Sequence, residues 1–322
     1  LHAARGGHLP LLRLLVEARP DLDAWDTKGR TPLMEAARRD EALLASVLVA
    51  AGADVNLVDE DGWTALMHAA KDGTLAAARS ILRSPGQSSL DALSKDGRSA
   101  LSLAAERGRI ALVGALVEAG AGVSRPEIGG RALQLAADKG HAAVVLLLME
   151  ARAPLGFATW DGEAPLHAAA ARGQRAVVEA LVEAGTDPDL ADSDGQTALV
   201  KAAAGGHDDV VAALLRIGAS PDLADREEWT PLMHAAAHSS SGSVGAIRAL
   251  IRAGAQIDRQ AGAEGMTALM ASAQKGNALA TEELLRAGAR ADLRSAGRTA
   301  LDFALAEGNR RCAEKLGYEE TR

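Results

Sequence analysis

Gly62-Trp-Thr-Ala-Leu-Met-His-Ala-Ala-Lys-Asp-Gly73 is the stretch on which the rest of the chain is patterned. It returns nearly verbatim as Trp229-Thr-Pro-Leu-Met-His-Ala-Ala236. Looser copies are Gly29-Arg-Thr-Pro-Leu-Met-Glu-Ala-Ala37, Gly195-Gln-Thr-Ala-Leu-Val-Lys-Ala-Ala203 and Gly265-Met-Thr-Ala-Leu-Met-Ala-Ser-Ala273. The motif leucines stand at Leu33, Leu66, Leu101, Leu133, Leu166, Leu199, Leu232, Leu269 and Leu301, spaced by 32 to 37 residues. A self-similar period near 33 residues, held through a chain of 322, dictates a repeat architecture ahead of every other signal.

Each motif residue has a mechanical reason. Gly62 permits a turn with positive φ after the acidic loop Asp59-Glu-Asp61. Thr64 is placed to cap a helix, and Thr31-Pro32 and Thr230-Pro231 add proline at the first helical position. Leu66, Ala69 and Ala70 share one face of that helix, and the small Ala-Ala pair lets neighbouring helices approach. Gly73, Gly108, Gly140, Gly173, Gly206, Gly276 and Gly308 are expected to end it in a left-handed cap. A second helix follows, with stripes such as Leu112, Val113, Leu116 and Val117, and stops at another glycine, as at Gly120 or Gly218. One such pair cannot bury its apolar face alone, so the copies stack.

These residues resemble the ankyrin repeat, whose pattern runs Asp-x-x-Gly-x-Thr-Pro-Leu-His-x-Ala-Ala-x-x-Gly-His, and the resemblance covers the whole chain. It implies an α-helical solenoid of helix-turn-helix units joined by β-hairpin fingers. The single array divides into about ten units: a truncated first repeat at 1–25, then 26–58, 59–93, 94–125, 126–158, 159–191, 192–224, 225–260 and 261–293, with a polar cap at 294–322. Because the first unit starts inside a repeat, the array is expected to begin upstream of Leu1. Asp40 replaces a stop glycine, Glu228 replaces a turn glycine, and Ser84–Ser89 and Ser239–Ser243 carry insertions. The family's motif histidine is present only at His167; Met34, Met67, Met233 and Met270 replace it, which removes an inter-repeat hydrogen bond from those copies.

Composition narrows the function. Lys and Arg number 35 against 43 Asp and Glu, a net charge of −8, which argues against nonspecific binding to nucleic acid or to an anionic membrane. Aromatic residues are only 2% of the chain, which argues against a deep aromatic ligand pocket. The lone Cys312 rules out an internal disulfide and any cysteine-based zinc cluster. Histidines such as His8, His141 and His207 recur in one slot of different repeats. Stacked helices lie roughly 8–10 Å apart, so such slots cannot share an ion that needs ligands at about 2 Å. No metal, no cofactor and no catalytic constellation is expected; the acids of the turns have no base or nucleophile beside them. The expected state is a cytoplasmic or nuclear monomer that meets a protein partner.

The family's partners are commonly held by finger tips and the exposed face of the first helix. Trp63 and Trp229 follow the turn glycine position, Trp160 precedes its own, and Trp25 lies just outside the pattern. Such rings either pack on a neighbouring finger or anchor a partner, and tryptophan is enriched among interface hot spots. The same slots hold Lys28, Arg30, Arg38, Arg39, Lys71, Arg98, Arg107, Lys139 and Arg172, interspersed with acids. They read as a solvated mixed-charge face or as a rim for an acidic segment. Asn56 matches the finger asparagine that ankyrin repeats offer to an asparaginyl hydroxylase. The function expected is a scaffold or adaptor binding a partner on the concave finger and first-helix face. The alternative is the targeting arm of a larger enzyme, a ubiquitin-ligase adaptor or kinase, with its catalytic domain outside these residues.

Overall fold

The computed structural model describes residues 21–72, 74–84, 90–159, 161–238 and 244–318. Most of the truncated first repeat, Gly73, the Ser84–Ser89 insertion after Ser84, Trp160 and the Ser239–Ser243 loop lie outside them. The chain forms two compact units, Leu1–Phe157 and Ala158–Arg322, each a stack of paired helices.

In the first unit the pairs are α1 (Pro32–Arg38) with α2 (Ala42–Ala50), α3 (Ala65–Asp72) with α4 (Leu75–Leu82), α5 (Ala100–Glu106) with α6 (Ile110–Glu118), and α7 (Arg131–Lys139) with α8 (Ala142–Glu150). The second unit holds α9 (Pro165–Ala171), α10 (Arg175–Glu183), α11 (Ala198–Ala204), α12 (Asp208–Arg216), α13 (Pro231–Ala237) and α14 (Gly245–Arg252). It continues with α15 (Ala268–Gln274), α16 (Ala278–Arg286), α17 (Ala300–Ala306) and α18 (Arg310–Lys315). Within each unit odd-numbered helices pack on odd and even on even, making two layers. Leu33, Leu66, Leu101 and Leu133 in one unit, and Leu166, Leu199, Leu232 and Leu269 in the other, are at most 2% exposed. Burial of each contributes about 1.5–3 kcal/mol.

The caps act as the motif predicts. Thr31, Thr64, Thr197, Thr230, Thr267 and Thr299 each accept, through Oγ1, the amide three residues on, at 3.2–3.3 Å. The stops are left-handed, as at Gly108 (φ 67°) and Gly218 (φ 98°). Asp40, Arg152 and Glu228 hold the same conformation, at φ 60°, 65° and 63°, without glycine's freedom. Arg152 is exposed and ends α8 where other second helices have glycine. Arg152→Gly is therefore expected to raise the stability of the first unit by about 1 kcal/mol, read as a higher urea midpoint at unchanged slope.

Neighbouring repeats are joined at the helix stop. Thr74 Oγ1 donates to the Ala37 carbonyl at 2.8 Å, His141 Nε2 to Glu106 at 3.0 Å and His207 Nε2 to Ala171 at 2.9 Å. Asn309 Nδ2 does the same to Ala273 at 2.8 Å. A carbonyl only accepts, so each imidazole nitrogen must carry the proton. In the inserted repeat the join survives by substitution. His238 Nδ1 donates to Ala204 at 3.0 Å, and the Asp208 carboxylate accepts the Gly245 and Ala246 amides at the start of α14.

Two features depart from the family outline. Fingers contain isolated antiparallel bridges, Ala191 with Thr197, Ala261 with Met266 and Ser295 with Arg298, and no longer ladder among the described residues. Their amides go to the finger carboxylate instead: Asp59 Oδ1 accepts from Asp61 at 3.0 Å and Trp63 at 2.8 Å. Adjacent fingers share one rung, as where Lys95 N donates to Asp61 O at 3.1 Å. Second, the finger expected near 126 is replaced by a π-helical turn, Pro126–Gly130, that runs straight into α7. The motif there reads Arg125-Pro-Glu-Ile-Gly-Gly-Arg131, with neither the finger Asp nor the capping Thr.

Candidate finger and first-helix face

The first helices are tied to their own fingers by a polar contact to the finger carboxylate nine residues apart. Asp59 meets His68 at 2.8 Å, Asp192 meets Lys201 at 2.8 Å and Asp225 meets His234 at 2.8 Å. In the first described repeat both positions are acidic, Asp26 and Glu35, and Arg30 stands between them at 3.0 and 2.9 Å. Where the finger residue is Ser94 or Thr159, the helix residue is uncharged, Leu103 or Ala168. The Asp59, Asp192 and Asp225 carboxylates thus each have a hydrogen-bonding partner on their own first helix. Burial works to raise the Asp26 carboxyl, yet the Arg30 and Lys28 amides and the Arg30 guanidinium outweigh it and hold its pKa at about 2. Burial likewise opposes ionisation of Asp192, but the Lys201 ammonium and the Gln196 amide keep its carboxyl below the ordinary value.

On this frame Trp63 and Trp229 take one posture. Each ring is half-buried and tilted on the histidine five residues later, with Trp63 and His68 centroids 5.4 Å apart and Trp229 and His234 5.3 Å apart. Their own-repeat packing is part of the answer to the alternative posed by the sequence, since neither ring is fully exposed. Lys71 Nζ also lies 4.8 Å from the Trp63 ring centroid. Trp25, by contrast, is 71% exposed.

Two adjoining hollows open on this face of the first unit. One, of about 430 Å³, is lined by Lys28, Arg30, Arg38, Asp59, Glu60, Asp61, His68, Lys71 and Asp72. The other, of about 370 Å³, is lined by Asp61, Trp63, His68, Lys71, Lys95 and Asp96. The structure therefore gathers Lys28, Arg30, Arg38, Trp63 and Lys71 in one place, with acids among them. Arg38 and Arg39 turn to buried Glu35, at 3.1 and 3.7 Å. Arg98 bridges Asp96 and Glu106, both at 2.8 Å, and Lys139 pairs with Asp138 at 2.7 Å. Arg107 and Arg172 are exposed. Trp160 lies outside the described residues. Asn56 is exposed, and at its slot in other repeats Asp91 and Asp189 accept an amide of the next repeat at 2.8 Å.

Among the described residues no three His, Cys, Asp or Glu side chains are placed to hold a metal ion, and no helix is long and apolar enough to cross a membrane. The polar contacts nine residues apart escaped the sequence reading, although the matching of acid and partner at Asp59 and His68, or Asp192 and Lys201, is written in it.

Burial lowers the pKa of His68 below 6.5, with Asp59 opposing, and burial also lowers that of His167. The unfolded chain takes up these protons near pH 6.5, while the folded chain does so only lower down. Stability is therefore expected to fall as pH drops through about 6.5 and to level off below the folded values. Urea midpoints across this range test it. His68→Gln should flatten the decline, and a midpoint that rises on acidification would contradict it.

A family model described as ankyrin repeats, three copies, matches residues 1–59, 43–127, 101–192, 166–261 and 239–321. No curated protein matches the chain in sequence. Among solved structures it is similar to the human ASB11 ankyrin repeat domain, with TM-score 0.62 and 24% identity over 70% of this chain and 99% of that one. It is also similar to the ankyrin repeat domain of Bcl-3, a unique member of the IkappaB family, with TM-score 0.55 and 29% identity over 61% and 90%. The helix pairs, the threonine caps and the family match along nearly the whole length agree: the chain belongs to the ankyrin repeat family.

Proposed function

We propose that the chain is a binding module whose protein partner seats on the finger and first-helix face, with Trp63 and Trp229 as anchors. Ankyrin repeats are generally protein-interaction modules and typically non-catalytic. The observation that carries the reading is the posture of the two tryptophans. Each is fixed from beneath by a histidine that is itself held by a finger carboxylate, so little side-chain freedom is lost when a partner covers the ring. In the first unit Lys28, Arg30, Arg38, Arg39, Lys71, Arg98, Arg107 and Lys139 are the charged rim of this reading, and in the second unit Arg172 is its candidate. Charges already paired locally set register and exclude wrong partners more than they add affinity.

Once a partner has been captured and identified, Trp63→Ala or Trp229→Ala is expected to weaken its binding at least tenfold, about 1.4 kcal/mol. Trp63→Phe and Trp229→Phe should keep most of the packing on the histidines, which separates anchoring from folding. Alanine variants that melt early yet bind normally when folded would return both rings to a packing role.

A further inference from the structure

We propose that the Trp229 face of the second unit receives a lysine or arginine side chain from a basic partner segment. The inference rests on the finger-face reading above and names the chemistry of what binds there. Its starting point is the pair of matched modules Asp59, Trp63, His68 and Asp225, Trp229, His234, which share spacing, ring tilt and the 2.8 Å carboxylate–imidazole contact.

The two modules differ in what surrounds the ring. In the first, Lys71 at the end of α3 covers Trp63, and Lys95 of the next finger lines the same hollow, balancing Asp61 and Asp96. In the second, the position of Lys71 is Ala237 and that of Lys95 is Gly262. The acids persist: Glu227 stands where Asp61 does, Glu228 takes the turn position beside Trp229, and Glu264 belongs to the next finger, all three exposed. Arg226 is the cation of that finger. Among the described residues no cation stands over the Trp229 ring. The second module is the first with both of its lysines removed and an acid kept at Glu227, while Arg226 and His238 stand where Glu60 and Asp72 do.

An indole face attracts a cation most strongly among the aromatics, and nearby carboxylates reinforce that attraction. The first module shows the geometry such a cation takes on this frame, because Lys71 already occupies it. The second presents the same ring with no described cation over it and with Glu227 and Glu228 beside it. A basic segment complements it; an acidic one is repelled by Glu227, Glu228 and Glu264.

The test uses the full chain and a peptide of alternating lysine and glycine, with an arginine version and a glutamate version alongside. The indole N–H signals are followed by NMR, with Trp229→Phe assigning the relevant one. The basic peptides are expected to shift the Trp229 signal saturably and the Trp63 signal little, with the shift weakening as salt is raised. Ala237→Lys, which restores a lysine over the ring, should weaken that response at least tenfold without unfolding the protein. A Trp229 signal unmoved by the basic peptides, or moved equally by the glutamate peptide, would overturn the proposal. If Trp229→Ala still weakens a captured partner tenfold in that case, the anchor reading stands and only the cation assignment falls. If it does not, both fall.

Discussion

With Gly129 replaced by alanine, the first unit is expected to lose at least about 3 kcal/mol of stability. A β-carbon at that position would lie 1.7 Å from the Val123 carbonyl oxygen and 2.5 Å from its carbon, both backbone atoms that no rotamer can move. The π-helical turn would have to open, and it is the turn that starts α7: the Ile128 and Gly129 amides both return to the Arg125 carbonyl, at 3.1 and 2.8 Å. Gly156→Ala is the control, since nothing lies within 4 Å of its added carbon. There alanine should be neutral or slightly stabilising, because it restricts the unfolded chain. Hydrogen exchange over residues 94–150 reads the difference. Equal protection in the two variants would mean that the turn is not needed to seat α7.

The second large effect is expected at His167. Its side chain is fully buried; Nδ1 accepts the Ala164 amide at 3.0 Å, and Nε2 donates to the Leu190 carbonyl at 2.8 Å. Ala164 stands where other repeats have the capping threonine, so His167 alone provides a side-chain partner at the start of α9. His167→Ala removes both bonds, strands a buried amide and a carbonyl, and leaves a cavity, for a cost of about 3–4 kcal/mol. Adding Ala164→Thr to that variant should return about 1 kcal/mol, because a hydroxyl again accepts the third amide of the helix. Urea denaturation of the second unit measures both. A loss below about 1 kcal/mol would show that water replaces the imidazole without difficulty.

The parts of this fold that the sequence made legible are those governed by local rules. Thr64, Ala69-Ala70 and Gly108 each act through neighbours a few residues away, so their reading survives intact in the structure. The turn at 126–130 was hidden because Leu133 and Ala136-Ala137 keep the period while the finger itself is gone; a spacing argument sees only the helix. The contacts nine residues apart fall at no helix or strand period, so spacing alone does not link Asp59 to His68. For the candidate face, the sequence correctly kept Trp63 and Trp229 off the core stripe. It could not show that a residue just past the turn folds back over its own helix and becomes half-buried. Nor could it show that Arg38, Arg39 and Arg98 spend their charge on Glu35, Asp96 and Glu106 rather than offering it outward.

The join between repeats has a consequence for the history of such a chain. At four of these joins the acceptor is a main-chain carbonyl at the end of the preceding first helix, at Ala37, Glu106, Ala171 or Ala273, and the donor is a threonine, a histidine or an asparagine. Because every predecessor owns that carbonyl whatever its side chains, copying or losing a unit whole leaves this part of the join in place, and only side-chain contacts such as Arg248 with Glu283 would have to be matched again. Lengthening or shortening by single units is then a small mutational step, whereas a fold joined through matched side chains would need two coordinated substitutions at every new junction.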